Sequence, residues 1–478
     1  MVTDRSDWCI SRQRTWGVPI PVVYCKDCGK PVVTDETIKA VSDMFRAEGA
    51  NSWYIKDAKD FLPAGTKCEC GCTEFEKEKD IFDVWFDSGV THKAVMEERG
   101  FETPVDLYLE GADQYRGWFQ SSLLTSAATA GKSPYKAVCT HGWVVDGEGK
   151  AMHKSLGNGV APNEVTDVYG ADILRLWAAS SDYHSDVRIS KEILKQLSDT
   201  YKKIRNTARY ILGNLCNGEG FNPETDCVAV NELHEIDKWA LIKLNALIDK
   251  VKAAYDAFDF HIVVSSIHNF CITDMSNFYL DIIKDRLYCT GEKSVDRRAA
   301  QTAMYKILSA LSRMLAPILS FTAEEIWKYI PHTASDDTRS ICMNDMPEKI
   351  DVTADESFTE KWNTIYQLRS DVTNALEAKR QNNFIGDPLE AKVIIHAGAN
   401  YETFNSFKDI LEKVFIVSAV EIAADGTGEY GSDNFEGVTY DVERASGDKC
   451  ERCWAYSETV GTNAEHPTLC ARCAAEIK

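Results

Sequence analysis

Two Cys-x-x-Cys pairs near the end of the sequence constrain its fold more strongly than any other feature. Cys450 and Cys453 form the first pair, Cys470 and Cys473 form the second, and 16 residues lie between them. Four thiolates can surround a zinc ion as a tetrahedron, and so short a segment buries too little apolar surface to fold without a crosslink. Disulfide bonds and chance spacing are the alternatives. We predict a zinc site with these four ligands.

A second cysteine-rich region lies far upstream, in the stretches CKDCG and CECGC. A glycine follows both Cys28 and Cys70, and it lets the backbone turn so that its N–H groups face a sulfur. We therefore predict a second zinc site formed by Cys25, Cys28, Cys68 and Cys70. Cys72 is the spare or the substitute ligand, and a degraded knuckle without metal is the alternative.

The length and charge of the chain exclude several classes of protein. A chain of 478 residues is expected to form two to four domains, and its 16 cysteines are too dilute for a secreted disulfide scaffold. A formal net charge of −21 argues against a protein that coats nucleic acid nonspecifically. No apolar run approaches the ~20 residues of a membrane span. We expect a cytoplasmic protein that does not bind membranes.

Hydrophobic periodicity divides the chain into regions of different character. Short strand-like runs alternate with helical stretches up to about residue 189, which is typical of an α/β fold. Ser190 is a suitable N-cap for a helix whose apolar residues recur from Ile193 to Ile211. Helical patterns then predict a bundle of about five helices from residue 190 to 345. A helix at 362–380, a strand at 391–395 and a solvated loop at 425–437 predict a small α+β unit beyond it.

Four motifs occur in a characteristic order in the first region. They are DWCISRQRTWGVPIP at 7–21, DVWFDSG at 83–89, EGADQYRGWF at 110–119 and GKAMHKSLGN at 149–158. Together they resemble the class I aminoacyl-tRNA synthetases of the isoleucine, valine and leucine group. The four-cysteine tail favours the isoleucine-specific branch of that group. The resemblance implies ATP-dependent activation of L-isoleucine, with Mg²⁺, and its transfer to tRNA(Ile).

The last motif resembles the KMSKS signature of that family, and the resemblance implies that Lys154 contacts the ATP phosphates. A mobile ammonium there would stabilise the charge that develops during displacement at phosphorus. Ala151 and His153 depart from the signature. Lys150 or His153 could compensate for the lost charge, and the sequence leaves both alternatives open.

The resemblance also implies the binding residues of the active site. Glu110 matches the position that binds the aminoacyl-adenylate, and Asp113 and Gln114 would line the same pocket. Trp85 and Trp118 match two tryptophans that wall the isoleucine side chain. Because Glu110 follows a strand-like run, we expect it at the carboxyl end of a parallel sheet, where open α/β folds bind ligands. Capping of the helix near Gly117 and packing in the core are the structural alternatives.

Four segments follow from the patterns and the resemblance together. We expect the second half of a class I Rossmann-type catalytic domain at 1–189, with a zinc-knuckle insertion at about 22–80. A helical anticodon-binding domain is expected at 190–350, a small α+β domain at 351–444 and a zinc-binding tail at 445–478. The HIGH signature and the editing insertion of the family are missing. We therefore expect a fragment that is inactive alone and monomeric when complete.

Two other functions remain as alternatives. One is a noncatalytic RNA-binding protein derived from a synthetase, and the other is a valine- or leucine-specific sibling enzyme. Lys202, Arg205 and Arg209 lie within helical reach of one another, and Arg452 and Arg472 lie in the tail. These side chains are suited to RNA phosphates or bases. A solvated helix face is the alternative for the three on the helix.

Overall fold

The fold was obtained as a computed structural model, in which residues 7–218 and 220–477 are described. The chain separates into two compact units. The first contains the residues up to 151 together with 183–188, and the second contains 152–182 and the residues from 189 onward.

The first unit mixes short strands with helices, as expected for an α/β fold. Its strands are β1 (Ser11–Arg12), β2 (Val23–Cys25), β3 (Pro31–Val32), β4 (Phe75–Lys77), β5 (Ile81–Phe82), β6 (Val105–Gly111), β7 (Tyr135–His141), β8 (Val144–Val145) and β9 (Val187–Arg188). Its α-helices are α1 (Asp35–Glu48), α2 (Ser52–Ile55), α3 (Val84–Gly89) and α4 (Trp118–Ala130). Short 3-10 turns cover Ala58–Phe61 and Ala112–Arg116, and a π-helical turn covers His92–Glu97.

A parallel β-α-β element is the part of this unit that positions the candidate site. Strands β6 and β7 pair in parallel from Val105 opposite Tyr135 to Gly111 opposite His141, and α4 connects them. Gly131 ends α4 with a φ of 66°, in the left-handed region that glycine adopts without strain. The α/β character predicted for this region is confirmed.

The cysteine-rich insertion forms its own small core in the first unit. Strands β2, β3 and β4 make an antiparallel sheet in the order β3-β2-β4. Trp53 and Phe61 pack with their ring centroids 4.8 Å apart, and both side chains are almost fully buried. The insertion therefore has an apolar core beside its cysteines.

The second unit is mainly helical. Its α-helices are α5 (Pro162–Tyr169), α6 (Ala171–Ser180), α7 (Lys191–Cys216), α8 (Glu235–Asp256), α9 (Phe260–Asn269), α10 (Leu280–Ile282), α11 (Lys284–Cys289), α12 (Val295–Leu315), α13 (Ser320–Tyr329), α14 (Glu356–Gln381), α15 (Tyr401–Asn405), α16 (Lys408–Phe415) and α17 (Ala471–Ala475). Its strands are β10 (Ala391–His396), β11 (Ala419–Ala423), β12 (Tyr430–Gly431), β13 (Thr439–Arg444), β14 (Asp448–Lys449) and β15 (Tyr456–Ser457). Short 3-10 turns cover Lys154–Leu156, Val230–Glu232, Ile341–Met343, Pro388–Glu390 and Gly398–Asn400.

The predicted helical bundle is confirmed. The Ser190 side chain accepts a hydrogen bond from the Ile193 amide at 3.3 Å, so it caps α7 as the sequence indicated. Within this bundle, residues Phe270–Tyr279 form a π-helix rather than an α-helix. Helical spacing alone does not distinguish α from π winding, because both place apolar residues on one face.

The small α+β unit forms a four-stranded sheet in the order β11-β10-β13-β12, against which α14 and α16 pack. Strand β10 pairs with β11 in parallel and with β13 in antiparallel orientation. The region 425–437, expected to be a solvated loop, contributes the edge strand β12. Among the described residues, no helix is long and apolar enough to cross a membrane.

Candidate active site and metal centres

Glu110 lies at the carboxyl end of the parallel strand pair. It is the penultimate residue of β6, it is exposed, and it stands opposite Thr140 of β7. A Cβ atom added to Gly111 would lie 2.6 Å from Oδ1 of Asp113, so glycine allows the carboxylate of Asp113 to approach the strand end closely. Two carboxylates therefore occupy the same open edge of the strands.

Gln114 connects this edge to the start of α4. Its Nε2 donates to Oδ2 of Asp113 at 2.8 Å, and its Oε1 accepts from the Trp118 amide at 3.1 Å. Among Glu110, Asp113 and Gln114, it is therefore Gln114 whose side chain accepts a hydrogen bond from the first amide of α4. Asp113 keeps an exposed carboxylate, as a ligand-binding residue requires.

The two predicted tryptophans lie close to the same helix start but differ in exposure. Trp85 is 41% exposed, and its Cη2 would lie 3.0 Å from a Cβ atom added to Gly117. The Trp118 ring stacks on Tyr108 with centroids 4.0 Å apart, and its Nε1 donates to the Ser88 carbonyl at 2.9 Å. Trp85 therefore offers a free apolar surface, whereas Trp118 is fixed by its neighbours.

Asp83 connects the motif at 83–89 to the motif at 7–21. The sequence argument did not single it out. Its Oδ2 accepts from Trp8 Nε1 at 3.1 Å and pairs with Arg12 at 2.5 Å, while its Oδ1 accepts from the Trp85 amide at 3.1 Å. Burial raises the pKa of the neighbouring Asp87. An aspartate directly before a helix was the available signal, since aspartate is a preferred N-cap. Asp83 thereby holds Trp85 in place.

The motif at 149–158, which contains Lys154, is divided between the two compact units, because residue 151 belongs to the first and residue 152 to the second. In the first unit, Oδ1 of Asp146 accepts from the amides of Glu148 and Lys150 at 3.0 and 2.8 Å. The Lys150 ammonium lies 2.7 Å from the Glu148 carboxylate. The pair is exposed and of little energetic value, so Lys150 remains one of the two groups that could replace the lost charge of the signature.

In the second unit, residues Lys154–Leu156 form a 3-10 turn. The His153 amide donates to Oδ1 of Asn158 at 3.0 Å, and Gly157 has a φ of 61°. The Lys154 side chain lies outside the described part of the structure. Its predicted contact with phosphate therefore remains a prediction.

The structure brings the four predicted upstream sulfurs together. The sulfurs of Cys25, Cys28, Cys68 and Cys70 all lie within 4.8 Å of one another, with pairs at 3.5 and 3.6 Å. Tetrahedral zinc with bonds of ~2.3 Å requires sulfur separations of ~3.8 Å. Cys72 instead contacts the backbone of Glu74. The four selected thiols therefore fit a zinc ion.

The tail cysteines form a second cluster of the same size. The sulfurs of Cys450, Cys453, Cys470 and Cys473 lie within 4.8 Å of one another, and those of Cys453 and Cys470 are 3.9 Å apart. Their surroundings are mainly buried, with Leu469 and Ala474 in the same small core. These sulfurs also fit tetrahedral zinc.

Backbone N–H groups prepare one thiol of each cluster for loss of its proton. The N–H of Cys28 lowers the pKa of Cys25 to about 6. Burial raises the pKa of Cys450, but the N–H groups of Cys453 and Cys470 outweigh it and lower the pKa to about 6. Because thiolate is the form that binds metal, Cys25 and Cys450 are suited to bind zinc at neutral pH.

Three matches to known families support this arrangement. The family described as tRNA synthetases class I (I, L, M and V) matches residues 1–190. The anticodon-binding domain of tRNA ligase matches residues 237–395. The zinc finger found in FPG and IleRS matches residues 447–475, which include all four tail cysteines.

Curated relatives match the whole chain. Isoleucine–tRNA ligase of Caldanaerobacter subterraneus subsp. tengcongensis is 52% identical over 486 aligned residues, covering 100% of this chain and 51% of the relative. The ligase of Desulfitobacterium hafniense strain Y51 is 49% identical, with 100% of this chain and 52% of the relative covered. The chain thus spans about half the length of the curated relatives it matches.

A solved structure shares part of the fold. It is a ternary complex of LeuRS from Agrobacterium radiobacter K84 with tRNA and LeuAMS. The TM-score is 0.50 at 19% sequence identity, over 69% of this chain and 41% of that chain. At this identity the likeness extends to the fold alone.

Proposed function

We propose that this chain, which belongs to the class I tRNA synthetases, supplies the adenylate-binding, anticodon-binding and zinc-binding parts of an isoleucine–tRNA ligase. Its substrates are L-isoleucine, ATP with Mg²⁺, and tRNA(Ile). The observation that carries the proposal is the position of Glu110 and Asp113 at the open end of two parallel strands, beside an exposed tryptophan.

We assign the binding of isoleucine to residues of the first unit. The carboxylates of Glu110 and Asp113 suit the ammonium group of isoleucine or a ribose hydroxyl, because both are hydrogen-bond donors. The exposed face of Trp85 provides an apolar wall for the branched side chain. Trp118, held between Tyr108 and Ser88, fixes the end of that wall.

We assign the contact with the ATP phosphates to Lys154. The carboxylate oxygen of isoleucine attacks the α-phosphorus of ATP, and pyrophosphate leaves with the electrons of the broken P–O bond. Negative charge spreads over the phosphoryl oxygens during this displacement. An ammonium group that meets this charge mainly in the transition state raises the rate rather than the affinity.

The second unit is assigned to the tRNA. The anticodon-binding match covers the helices from α8 to α14 and most of β10, and the zinc-finger match covers the tail. Arg472 makes a bidentate ion pair with Asp285 at 2.6 and 2.7 Å, so it anchors the tail to α11 rather than reaching for RNA. We place the function in the cytoplasm, in a monomeric protein, where thiols stay reduced.

The test is isoleucine-dependent exchange of pyrophosphate into ATP. The protein is a chimera in which this chain replaces the matching half of the Caldanaerobacter ligase. We expect exchange in the chimera, and a loss of about 10²–10³-fold in kcat for Lys154→Ala. Glu110→Gln should lose activity as well, because it removes the charge that faces the ammonium group.

The matched control is Lys136→Ala. Lys136 is an exposed lysine paired with Asp106 at 2.7 Å, and its loss should leave exchange unchanged. Lys150→Ala decides whether that lysine carries the missing charge of the signature: a loss of kcat close to that of Lys154→Ala would show that it does, and an unchanged kcat would show that it does not. A well-folded chimera without exchange would contradict the proposal and favour a noncatalytic RNA-binding protein.

A further inference from the structure

We propose that the groove between α6, α7 and α13 receives an unpaired base of an RNA strand whose backbone follows the basic face of α7. The inference rests on the proposed function, because RNA is the partner it assigns to the second unit. It adds a stacking site on that unit, formed by side chains of three helices. All residues of the groove belong to the second unit.

The first support is a basic stripe along α7. At 100° per residue, its members fall within an arc of about 80° on the helix, and they extend over about 27 Å. All of them are exposed, and the stripe consists of Lys191, Lys195, Lys202, Arg205 and Arg209. Such a line of cations is unusual in a chain with a net charge of −21. It matches the regularly spaced phosphates of a nucleic acid strand.

Most of the stripe is free to bind. Lys202 pairs with Asp199 at 2.9 Å, an exposed contact of little energetic value. Within the described residues, the side chains of Arg205 and Arg209 make no hydrogen bond or ion pair. Free guanidinium groups on a folded helix are available for an anionic partner at low cost.

The second support is an aromatic groove beside the two arginines. Its volume is about 690 Å³, which is within the range of ~300–1,000 Å³ typical of small-molecule sites. Arg205 and Arg209 line it together with Phe321 and Tyr329 of α13, whose side chains are 67% and 63% exposed. Glu325 is the one acidic side chain of α13 that lines it, and it lies 3.9 Å from Lys328.

The third support is the rigid attachment of Phe321. The buried carboxylate of Asp172 accepts from the amides of Phe321 and Thr322 at 3.3 and 2.7 Å, and from the Thr322 hydroxyl at 2.5 Å. Tyr201 of α7 also bonds the Thr322 hydroxyl, at 2.9 Å. These bonds fix the first turn of α13 to α6 and α7. The backbone that carries the exposed Phe321 ring is therefore held in place.

This combination favours an RNA strand with an unpaired base over other anionic partners. Exposed aromatic rings and guanidinium groups stack on base faces, and single-stranded RNA presents those faces. A duplex hides its bases, so it would use the stripe but not the groove. An acidic peptide would likewise satisfy the arginines and leave the rings unused.

The test measures binding of a tRNA(Ile) transcript to the full chain by fluorescence anisotropy over a range of salt concentrations. The Arg205→Ala, Arg209→Ala double variant should lose affinity at least tenfold and reduce the salt slope by about 1 to 2. Phe321→Leu keeps an apolar side chain but loses the ring. It should bind about fivefold or more weakly with the salt slope unchanged.

Two controls isolate the groove. Lys250→Ala removes an exposed lysine of α8 and should leave both affinity and slope unchanged. As competitors, a single-stranded RNA of about 12 nucleotides should be sensitive to Phe321→Leu, whereas a duplex of the same sequence should not. Each variant is checked for wild-type circular dichroism, so a loss of folding is recognised.

The possible failures are distinguishable. Wild-type binding of tRNA(Ile) combined with unchanged binding by the arginine and Phe321 variants would overturn the groove but leave the proposed function intact. Equal competition by polyglutamate and by single-stranded RNA would also overturn it, since a simple basic surface would then suffice. Absence of tRNA binding by the wild-type chain would overturn the groove and the tRNA assignment together, whereas exchange by the chimera tests the catalytic assignment separately.

Discussion

His396 is a single side chain whose ionisation the fold changes. Its Nε2 lies 2.9 Å from Oδ2 of Asp441, and its Nδ1 lies 3.1 Å from the Asp425 carbonyl. The hydrogen bond to Asp441 is the main cause of a raised pKa for His396. The protonated imidazolium therefore ties β10 to β13 and to the turn at Gly426.

This raised pKa predicts that stability falls with pH above about 6.5. Below that pH, His396 is protonated in both the folded and the unfolded chain, so the stabilisation is fully present. As pH rises toward the higher folded pKa, the unfolded chain loses its proton first, and the stabilisation is lost. Urea unfolding midpoints measured from pH 6 to pH 9 should show this decline.

His396→Gln should remove that pH dependence, while His261→Gln, a substitution on α9, should keep it. An unchanged pH dependence in His396→Gln would show that another group is responsible.

Sequence patterns located the residues whose chemistry is local. The cysteine spacing predicted both sulfur clusters, since ligands that are separated by one or two residues can bind the same metal ion. Asp83 and Tyr108 were not found, because their roles depend on contacts with Arg12 and Trp118 that form only in the folded chain. The aromatic groove was missed for the same reason, as Phe321 meets the α7 arginines only in the folded chain.

At the scale of elements, a buried ion pair connects α8 to α11. Arg286 forms two hydrogen bonds with Asp237 at 2.8 and 2.9 Å and a third with Asp296 at 2.7 Å. The Asp237 side chain is fully buried, and the Tyr279 hydroxyl donates to it as well. Removing one charge leaves the other without its partner in a low-dielectric interior.

Asp237→Asn should therefore lower the free energy of unfolding by about 3 kcal/mol. Lys284→Ala is the comparison, because it breaks the exposed pair with Asp281 and should cost less than about 1 kcal/mol. Urea denaturation followed by circular dichroism measures both. Equal effects of the two substitutions would contradict the importance of burial.

The two cysteine elements predict two zinc ions per chain. Cys470→Ser should remove one ion and unfold the tail, because its small core of Leu469 and Ala474 cannot persist without the crosslink. Cys28→Ser should remove the other ion and leave the tail intact. Zinc content is measured by atomic emission on purified protein.

Cys72→Ser is the matched control for the upstream site, since its sulfur lies outside the cluster of four. It should keep both ions. Loss of zinc in Cys72→Ser with retention in Cys70→Ser would show that the ligand choice is wrong. Loss of the tail should leave the helical signal of the bundle largely unchanged.

Element types were predictable where the periodic pattern is long. The 26-residue helix α7 and its cap at Ser190 followed from apolar spacing and one hydroxyl. The π-helix at Phe270–Tyr279 did not, because its winding depends on packing against α7, α8 and α9. Strand β12 was missed since two residues carry no periodic signal and pair only with β13.

At the scale of the whole molecule, the charge is distributed unevenly. The chain has a net charge of −21, yet the exposed face of α7 is a line of cations. Such a distribution opposes nonspecific binding of nucleic acid, and the cations of α7 are the surface to which we assign RNA in the proposal above. The family was recognisable from four motifs in order, because each is tied to the chemistry of one site rather than to packing.

The amino acid specificity is the central claim, and pyrophosphate exchange by the chimera tests it most directly. Isoleucine, valine and leucine are compared at equal ATP. One buried methylene is worth about 0.8 kcal/mol, so isoleucine should exceed valine in kcat/KM by at least about fourfold. Faster exchange with valine or leucine than with isoleucine would contradict the account.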